Sequence, residues 1–467
     1  MAVSTSNGLQ EVLTRGVTSF VDQDGVFSRK IESAPEKCVI KLGADPTRPD
    51  IHLGHAVILR KLRQFQDLGA KVVFVVGDYT AAIGDPSGRS RVRPEVGFAE
   101  IERNMQTYIE QVGKILLTSE AHFAWIRNSD WYMGPTDLEF PPGTRAAVEI
   151  NAGGERRTVE LDPNSLIGKT ALYESTRMQR NVFRKKDIVA VTLRGFLWTV
   201  RHITHARLIE RDMFEGRIKR GEELYMHELI YPVLQGIDSY VLSEIFGSCD
   251  LEIGGSDQTF NMLLGRDVMK ANSRPPQAVL ACELLVGTDG KEKMSKSLGN
   301  YIGIAEPAAS IYGKIMSIPD SAIGDYFRLA AYTPLSEVEK IEASLSSGGQ
   351  SARDIKMLLA REISEIYHGQ AAAKEAERDF VNTFAKGGVP EGIKEVKVPS
   401  GTLLSELALA ESLVPSKSEF RRLVRQGAVS MVESKEKISD PLYALKSDGT
   451  VRIGATRFIK VKVASSK

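Results

Sequence analysis

The sequence predicts an α/β protein built on a parallel sheet, followed by a helical segment and a small basic α+β module. Three observations predict it. Residues 38–45 read as a strand ending in a loop, and residues 71–77 are a continuous apolar run, the pattern of a strand buried on both faces. Between them Val57, Ile58, Leu62 and Phe65 recur at helical spacing over 51–68, and Gly69 stops the helix. Strand, helix, strand with a continuous second strand indicates parallel pairing. The third observation is charge. The chain carries net +1, yet from Pro415 to Lys467 twelve Lys/Arg stand against five Asp/Glu, so the tail is +7 and the body slightly acidic. A basic tail on such a body suggests a separate module that faces phosphates.

At 467 residues the chain exceeds one ordinary core, and the length prior gives about three domains. With 42% apolar and 26% charged residues it is expected to be globular rather than disordered or fibrous. No apolar run is long enough to cross a bilayer, and residues 1–10 lack a basic region followed by an apolar core. A cytoplasmic location without membrane association is therefore expected. Cys38, Cys249 and Cys282 are far apart and form no CxxC pair, so neither structural zinc nor a disulfide framework is expected.

Farther along, residues 140–165 are rich in turn formers. Two β-like stretches around Gly153-Gly154 read as a hairpin inserted into the α/β domain. Residues 190–230 read as mainly helical, 279–286 as another buried strand, and 306–385 as helical again. Residues 390–400 read as a linker. The basic module over 401–467 contains a helix from Lys417 to Gln426 that ends at Gly427.

Ligands of parallel sheets bind beyond the carboxyl ends of the strands. Here His52-Leu-Gly-His55 follows the first strand, and Asp78 to Asp85 follow the second, so both loops should open on one crevice. Two imidazoles three apart share a face of the first helical turn, where free N–H groups favour an anion. Gly54 lets a flat ring approach the backbone. Two such histidines can also share a metal, but no third ligand is evident. Thr80 and Asp85 place a hydroxyl and a carboxylate where a ligand ammonium would fit, with Arg89, Arg91 and Arg93 beyond. Tyr231, Gln235 and Asp238 share one face of an otherwise apolar helix, as in a lined pocket. Lys293-Met-Ser-Lys-Ser297, between Asp289-Gly290 and Gly299-Asn300, reads as a mobile loop whose ammonium groups can fold over an anion.

HLGH at 52–55 followed by KMSKS at 293–297 resembles the paired motifs of class I aminoacyl-tRNA synthetases. Gly43–Thr47, Ile83–Ser87, Tyr231–Asp238 and Gly254–Gln258 narrow the resemblance to the bacterial-type tyrosyl-tRNA synthetases, and residues from about 401 resemble that family's S4-type RNA-binding module. The resemblance implies a Rossmann-like catalytic domain over 1–305, with an insertion at about 135–230. It implies a helical tRNA-binding domain over 306–390 and an S4-like domain over 401–467. It implies tyrosine–tRNA ligase activity: L-tyrosine and ATP give tyrosyl-adenylate and pyrophosphate, and the tyrosyl group then passes to tRNA(Tyr). Mg²⁺ is expected to arrive with ATP. The helices around 190–225 correspond to the family's dimer interface, which implies a homodimer.

The family pattern carries site residues onto this sequence. His52, His55, Lys293 and Lys296 take the catalytic positions. Asp45, Thr47, Gly54, Gly255, Met294, Ser295 and Ser297 join them on the ATP side. Thr80, Asp85, Tyr231, Gln235, Asp238 and Gln258 fall to tyrosine, with Asp238 on the phenolic hydroxyl. Lys417, Arg421, Arg422 and Arg425 are the expected RNA contacts. Lys41 stands where many members have a pocket tyrosine, as in a second subtype of the family. Its ammonium can donate to the phenolic oxygen, pair with Asp238 or point elsewhere. Competing readings are a tryptophanyl-tRNA synthetase, a non-catalytic RNA-binding protein on the same scaffold, and a nucleotidyltransferase for a small metabolite. The Asp238 stripe, the intact paired motifs and the basic tail count against them in turn.

Overall fold

The computed structural model describes residues 5–47, 50–87, 98–132, 145–152, 155–161, 191–209, 212–347, 349, 351–382, 394–411, 413–414, 416–434, 436–454 and 457–464. Arg89, Arg91 and Arg93, the hairpin turn at 153–154, residues 390–393 of the expected linker and residues 162–190 lie outside them. The chain divides into two compact units. One comprises residues 1–287, 291–305 and 328–330, and the other 288–290, 306–327 and 331–467.

The first unit is organised by a six-stranded sheet. Its strands are β1 (Val17–Val21), β2 (Val39–Ala44), β3 (Lys71–Val76), β4 (Phe123–Arg127), β7 (Leu251–Gly255) and β8 (Ala278–Cys282), in the order β1-β8-β7-β2-β3-β4. The five strands from β8 to β4 pair in parallel, and β1 closes the β8 edge antiparallel. All but the first residue of β3 are buried, as its unbroken Val-Val-Phe-Val-Val run requires. Val39 and Val73 face the helices Met226–Phe246 and Thr259–Ala271, packing with Val233, Ile237, Leu264 and Val268. Each such side chain contributes roughly 1.5–3 kcal/mol of burial. Helix Leu53–Asp67 starts at His52, whose extended φ of −117° and ψ of 170° mark it as the N-cap.

Three expectations need correction. The stretch read as a linker over 390–400 holds a strand, Glu395–Pro399, because Val396 and Val398 alternate toward the C-terminal core. Residues 78–83 form a short helix, Asp78–Ile83, rather than a loop, because Gly84, with φ of +90°, ends the turn only after Ile83. The strand expected over 279–286 stops at Cys282, since β1 gives an edge partner only to residues 279–282. The excursion holds a two-stranded antiparallel hairpin, β5 (Ala146–Ala152) and β6 (Glu155–Leu161), with Ala146 opposite Leu161 and Ala152 opposite Glu155.

In the second unit, helix Ala308–Met316 packs along helix Ala352–Phe380. A separate core follows. There β9 (Glu395–Pro399), β10 (Val429–Met431), β11 (Gly449–Ile453) and β12 (Arg457–Ala464) form a sheet in the order β10-β11-β12-β9. Helices Leu404–Ala410 and Lys417–Arg425 cover it, burying Leu404, Leu407, Phe420 and Val424 against Val451 and Ile459. Phe420 and Val424 are four apart, so the opposite face of that helix presents Lys417, Arg421, Arg422 and Arg425 to solvent. Among the described residues no helix is long and apolar enough to cross a membrane.

Candidate active site

The carboxyl ends of β2, β3 and β7 open on a cavity of about 290 Å³. It gathers what the sequence set far apart: Asp45, Thr47, His52, Gly54, His55, Thr80, Asp85, Tyr231, Gln235, Asp238, Gly255, Gln258, Lys293, Ser295 and Lys296 all line it. The crevice at the strand ends is therefore real, and both loops reach it.

At the histidine end, the two rings stack with centroids 3.8 Å apart and planes 26° off parallel. The backbone N–H of His52 donates to Nδ1 of His55 at 3.3 Å. A Cβ on Gly54 would lie 3.1 Å from the His52 ring and 3.5 Å from Met294 Cβ, so only glycine leaves this stack undisturbed. Residues 302–304 brace the turn: Leu53 N–H donates to Ile302 O (2.9 Å), and Ile304 N–H donates to Ile51 O (2.9 Å). Burial, then the charges of Lys296 and Lys293, push His55 down to about 3. Burial and the same cations, with His55, hold His52 well below its ordinary range. Both imidazoles are neutral at physiological pH. Nδ1 of His52 is buried without a protein partner among the described residues.

The Lys-Ser segment is anchored at both ends. Val286 bridges Lys293 across a narrow hairpin, and Met294 N–H donates to Leu285 O at 2.8 Å. Asn300 accepts from Ser295 N–H (2.8 Å) and donates to Lys293 O (3.2 Å). Lys293 Nζ reaches Asp257 at 2.5 Å, and Lys296 Nζ lies 5.4 Å from the Tyr108 ring centroid.

The opposite end is a hydrogen-bonded wall. Asp45 accepts from Thr80 Oγ1 on one oxygen and from Tyr231 OH on the other, both at 2.8 Å. Gly77 is required beside them, because a Cβ there would collide with the Asp45 carboxylate and the Thr80 hydroxyl. Gln258 Nε2 donates to Asp85 (2.8 Å), and Asn261 links Gln258, Gln235 and Ser87. Asp238 receives Trp131 Nε1 at 3.0 Å and Asn128 Nδ2 at 3.4 Å. Burial pushes Asp238 up to about 6, against the opposing pull of Lys41 and those two donors.

Two residues assigned from the resemblance stand apart. Met294 is buried behind Gly54 and Lys41 lies behind the pocket wall; neither lines the cavity. Lys41 is fully buried, and its three N–H groups go to Gln235 O (2.8 Å), Ser239 Oγ (2.8 Å) and Glu252 (2.9 Å). None is left for a phenolic oxygen, and its ion-pair partner is Glu252 rather than Asp238. The side chain of Ser297 lies outside the described part. Conversely, Tyr108, Glu252 and Asp257 line the cavity without having been singled out. Glu252 carried a readable signal: one carboxylate in a buried strand, matched by one lysine in another.

Comparison with known proteins places this architecture. Residues 33–139 and 179–385 match the family of class I tRNA synthetases (W and Y). The chain is 37% identical over 452 residues to a protein named tyrosine–tRNA ligase 2 from Vibrio cholerae serotype O1, covering 97% of each. The chain belongs to the class I tRNA synthetases. A second relative of this synthetase, a tyrosine–tRNA ligase from Carboxydothermus hydrogenoformans, is 36% identical over 462 residues, again with 97% of each chain covered. Two solved structures share the fold. A truncated mitochondrial tyrosyl-tRNA synthetase from Aspergillus nidulans superposes with a TM-score of 0.56 at 20% identity, covering 82% of this chain and 95% of that one. The tyrosyl-tRNA synthetase from Archaeoglobus fulgidus gives 0.53 at 19% identity, covering 80% and 100%.

Proposed function

We propose that this synthetase is a tyrosine–tRNA ligase. It activates L-tyrosine with ATP and then transfers the tyrosyl group to tRNA(Tyr). The observation that carries the reading is one cavity with two unlike ends. One end is a carboxylate, Asp238, at the floor of a buried wall; the other is a pair of neutral imidazoles beneath two lysines. A carboxylate at the end of an aromatic pocket accepts a phenolic O–H, and its burial penalises a ring that lacks one.

In this reading the tyrosine ammonium sits among Asp85, Tyr231, Gln235 and Gln258, near Thr80. Its carboxylate attacks the α-phosphorus of ATP, and pyrophosphate leaves. His52 and His55 donate N–H groups to the phosphates without carrying charge. Lys293 and Lys296 neutralise the leaving pyrophosphate, where charge develops in the transition state. Thr47 and Gly255 take the adenosine side, with Asp45 at the junction because its carboxylate holds Thr80 and Tyr231; Asp257 and Tyr108 join the lysine end. Among the described residues no three metal-binding side chains gather. Mg²⁺ would arrive with ATP, held mainly by phosphate oxygens and water, and would offset triphosphate charge.

For the second step, residues 306–390 serve as a helical tRNA-binding domain and 401–467 as an S4-like domain. Lys417, Arg421, Arg422 and Arg425 form its phosphate-facing edge. Lys417 and Arg422 are paired with Glu406 and Glu419, which leaves Arg421 and Arg425 as the readier contacts. A homodimer is supported by exposed Leu193, Leu197, Trp198 and Met226 on the helices expected at the interface. The reading places the enzyme in the cytoplasm.

ATP–pyrophosphate exchange with each of the twenty amino acids tests the proposal. Exchange with tyrosine alone is expected. Exchange with tryptophan instead would sink the specificity, and no exchange would favour a non-catalytic RNA-binding protein.

A further inference from the structure

We propose that Lys41 and Glu252 act together as positioning residues for the amino-acid half of the cavity, fixing Gln235 at its wall. This rests on the tyrosine reading above. The two residues are register partners on the parallel strands β2 and β7, so their side chains leave the sheet side by side. Both project from the face covered by helix Met226–Phe246, and both are buried. Lys41 reaches that helix at Gln235 O and Ser239 Oγ, one turn apart. Glu252 completes the square: it accepts from Lys41 and Gln235 Nε2 (3.0 Å) on one oxygen, and from Ser239 Oγ (3.3 Å) and Gln277 Nε2 on the other.

The consequence falls on Gln235. Its Nε2 is committed to Glu252 and its Oε1 to Asn261 at 3.0 Å, so its amide has a single orientation at the cavity wall. Asp238 lies three residues farther along the same helix. Glu252, Asp238 and Asp85 are buried carboxylates that line the cavity. Lys41 pairs with Glu252, so Asp238 and Asp85 remain for the ligand. The pair is sealed from above where the two helices cross: a Cβ on Gly236 would lie 3.1 Å from Gly265 Cα. A buried ion pair is a poor device for stability, since a well-packed apolar pair often does as well. Its value here is the geometry it imposes on Gln235.

The test is steady-state ATP–pyrophosphate exchange by the full chain and by two variants, with KM measured separately for tyrosine and ATP. Lys41→Met leaves a buried carboxylate unpaired and can impair folding. Lys41→Met/Glu252→Gln removes both charges together and is expected to fold. Each folded variant should raise the tyrosine KM about tenfold or more, with the ATP KM within about twofold. A folded double variant with an unchanged tyrosine KM overturns the proposal, as does an equal rise in both constants. Failure of the unaltered chain to activate tyrosine is a different result, which removes the functional reading itself.

Discussion

Lys293 Nζ lies 2.5 Å from a carboxylate oxygen of Asp257, so the first lysine of the Lys-Met-Ser-Lys-Ser segment is docked on the cavity wall. Lys296 rests near the Tyr108 ring on the same cavity. Both cations are thereby held within the field of His52 and His55, far from the Asp238 end of the pocket.

That separation predicts a divided effect. Lys293→Ala and Lys296→Ala should each slow tyrosyl-adenylate formation about 100-fold, the scale expected for losing one preorganised charge at a transition state. Tyrosine affinity, measured by equilibrium dialysis, should change by less than about twofold. A variant that weakens tyrosine binding without slowing activation would contradict the role.

Asp238 predicts a pH dependence. Its folded-state value near 6 exceeds the ordinary 3.8. Between those values the folded chain holds a proton that the unfolded chain has released, so this group's contribution to stability falls as pH rises through that window. Above it, the buried carboxylate costs on the order of 3 kcal/mol. The ligand needs the ionised form, so tyrosine affinity should fall as pH drops through about 6. Asp238→Asn should flatten both trends and be more resistant to urea at pH 7.5, while binding tyrosine at least about tenfold more weakly. Parallel urea titrations and tyrosine binding from pH 5 to 8 would check this.

The histidines predict the opposite. With His55 at about 3, no limb of the activation profile near pH 6.5 should come from either ring. Gly54→Ala should leave the fold intact and raise the ATP KM, because the added methyl presses on His52 at 3.1 Å. An unchanged ATP KM would show that the stack yields freely.

The basic module predicts a split between steps. Deleting residues 401–467 should preserve tyrosine activation and impair aminoacylation, since Phe420, Val424 and their neighbours form a core of their own. Arg421→Glu or Arg425→Glu should weaken tRNA binding and lower the salt slope by about one per lost phosphate contact. Filter binding from 50 to 300 mM salt would measure it.

Much of this was legible in the chain itself. Apolar periodicity identified β2, β3 and the helix between them. The order of short motifs, HLGH at 52–55 and KMSKS at 293–297 among them, identified the family by resemblance. Local sequence rules work there because strand burial and helix starts are short-range properties. Gly69 and Gly427, both at positive φ, end their helices where the sequence placed them. The tertiary structure alone decided which buried charges meet. Lys41 and Glu252 are 211 positions apart, and no local signal states that β2 and β7 are neighbours or that their registers align. A buried ammonium takes whichever partners satisfy all three of its N–H groups. Here helix Met226–Phe246 supplies Gln235 O and Ser239 Oγ and the neighbouring strand β7 supplies Glu252, which together direct Lys41 away from the pocket it was expected to line.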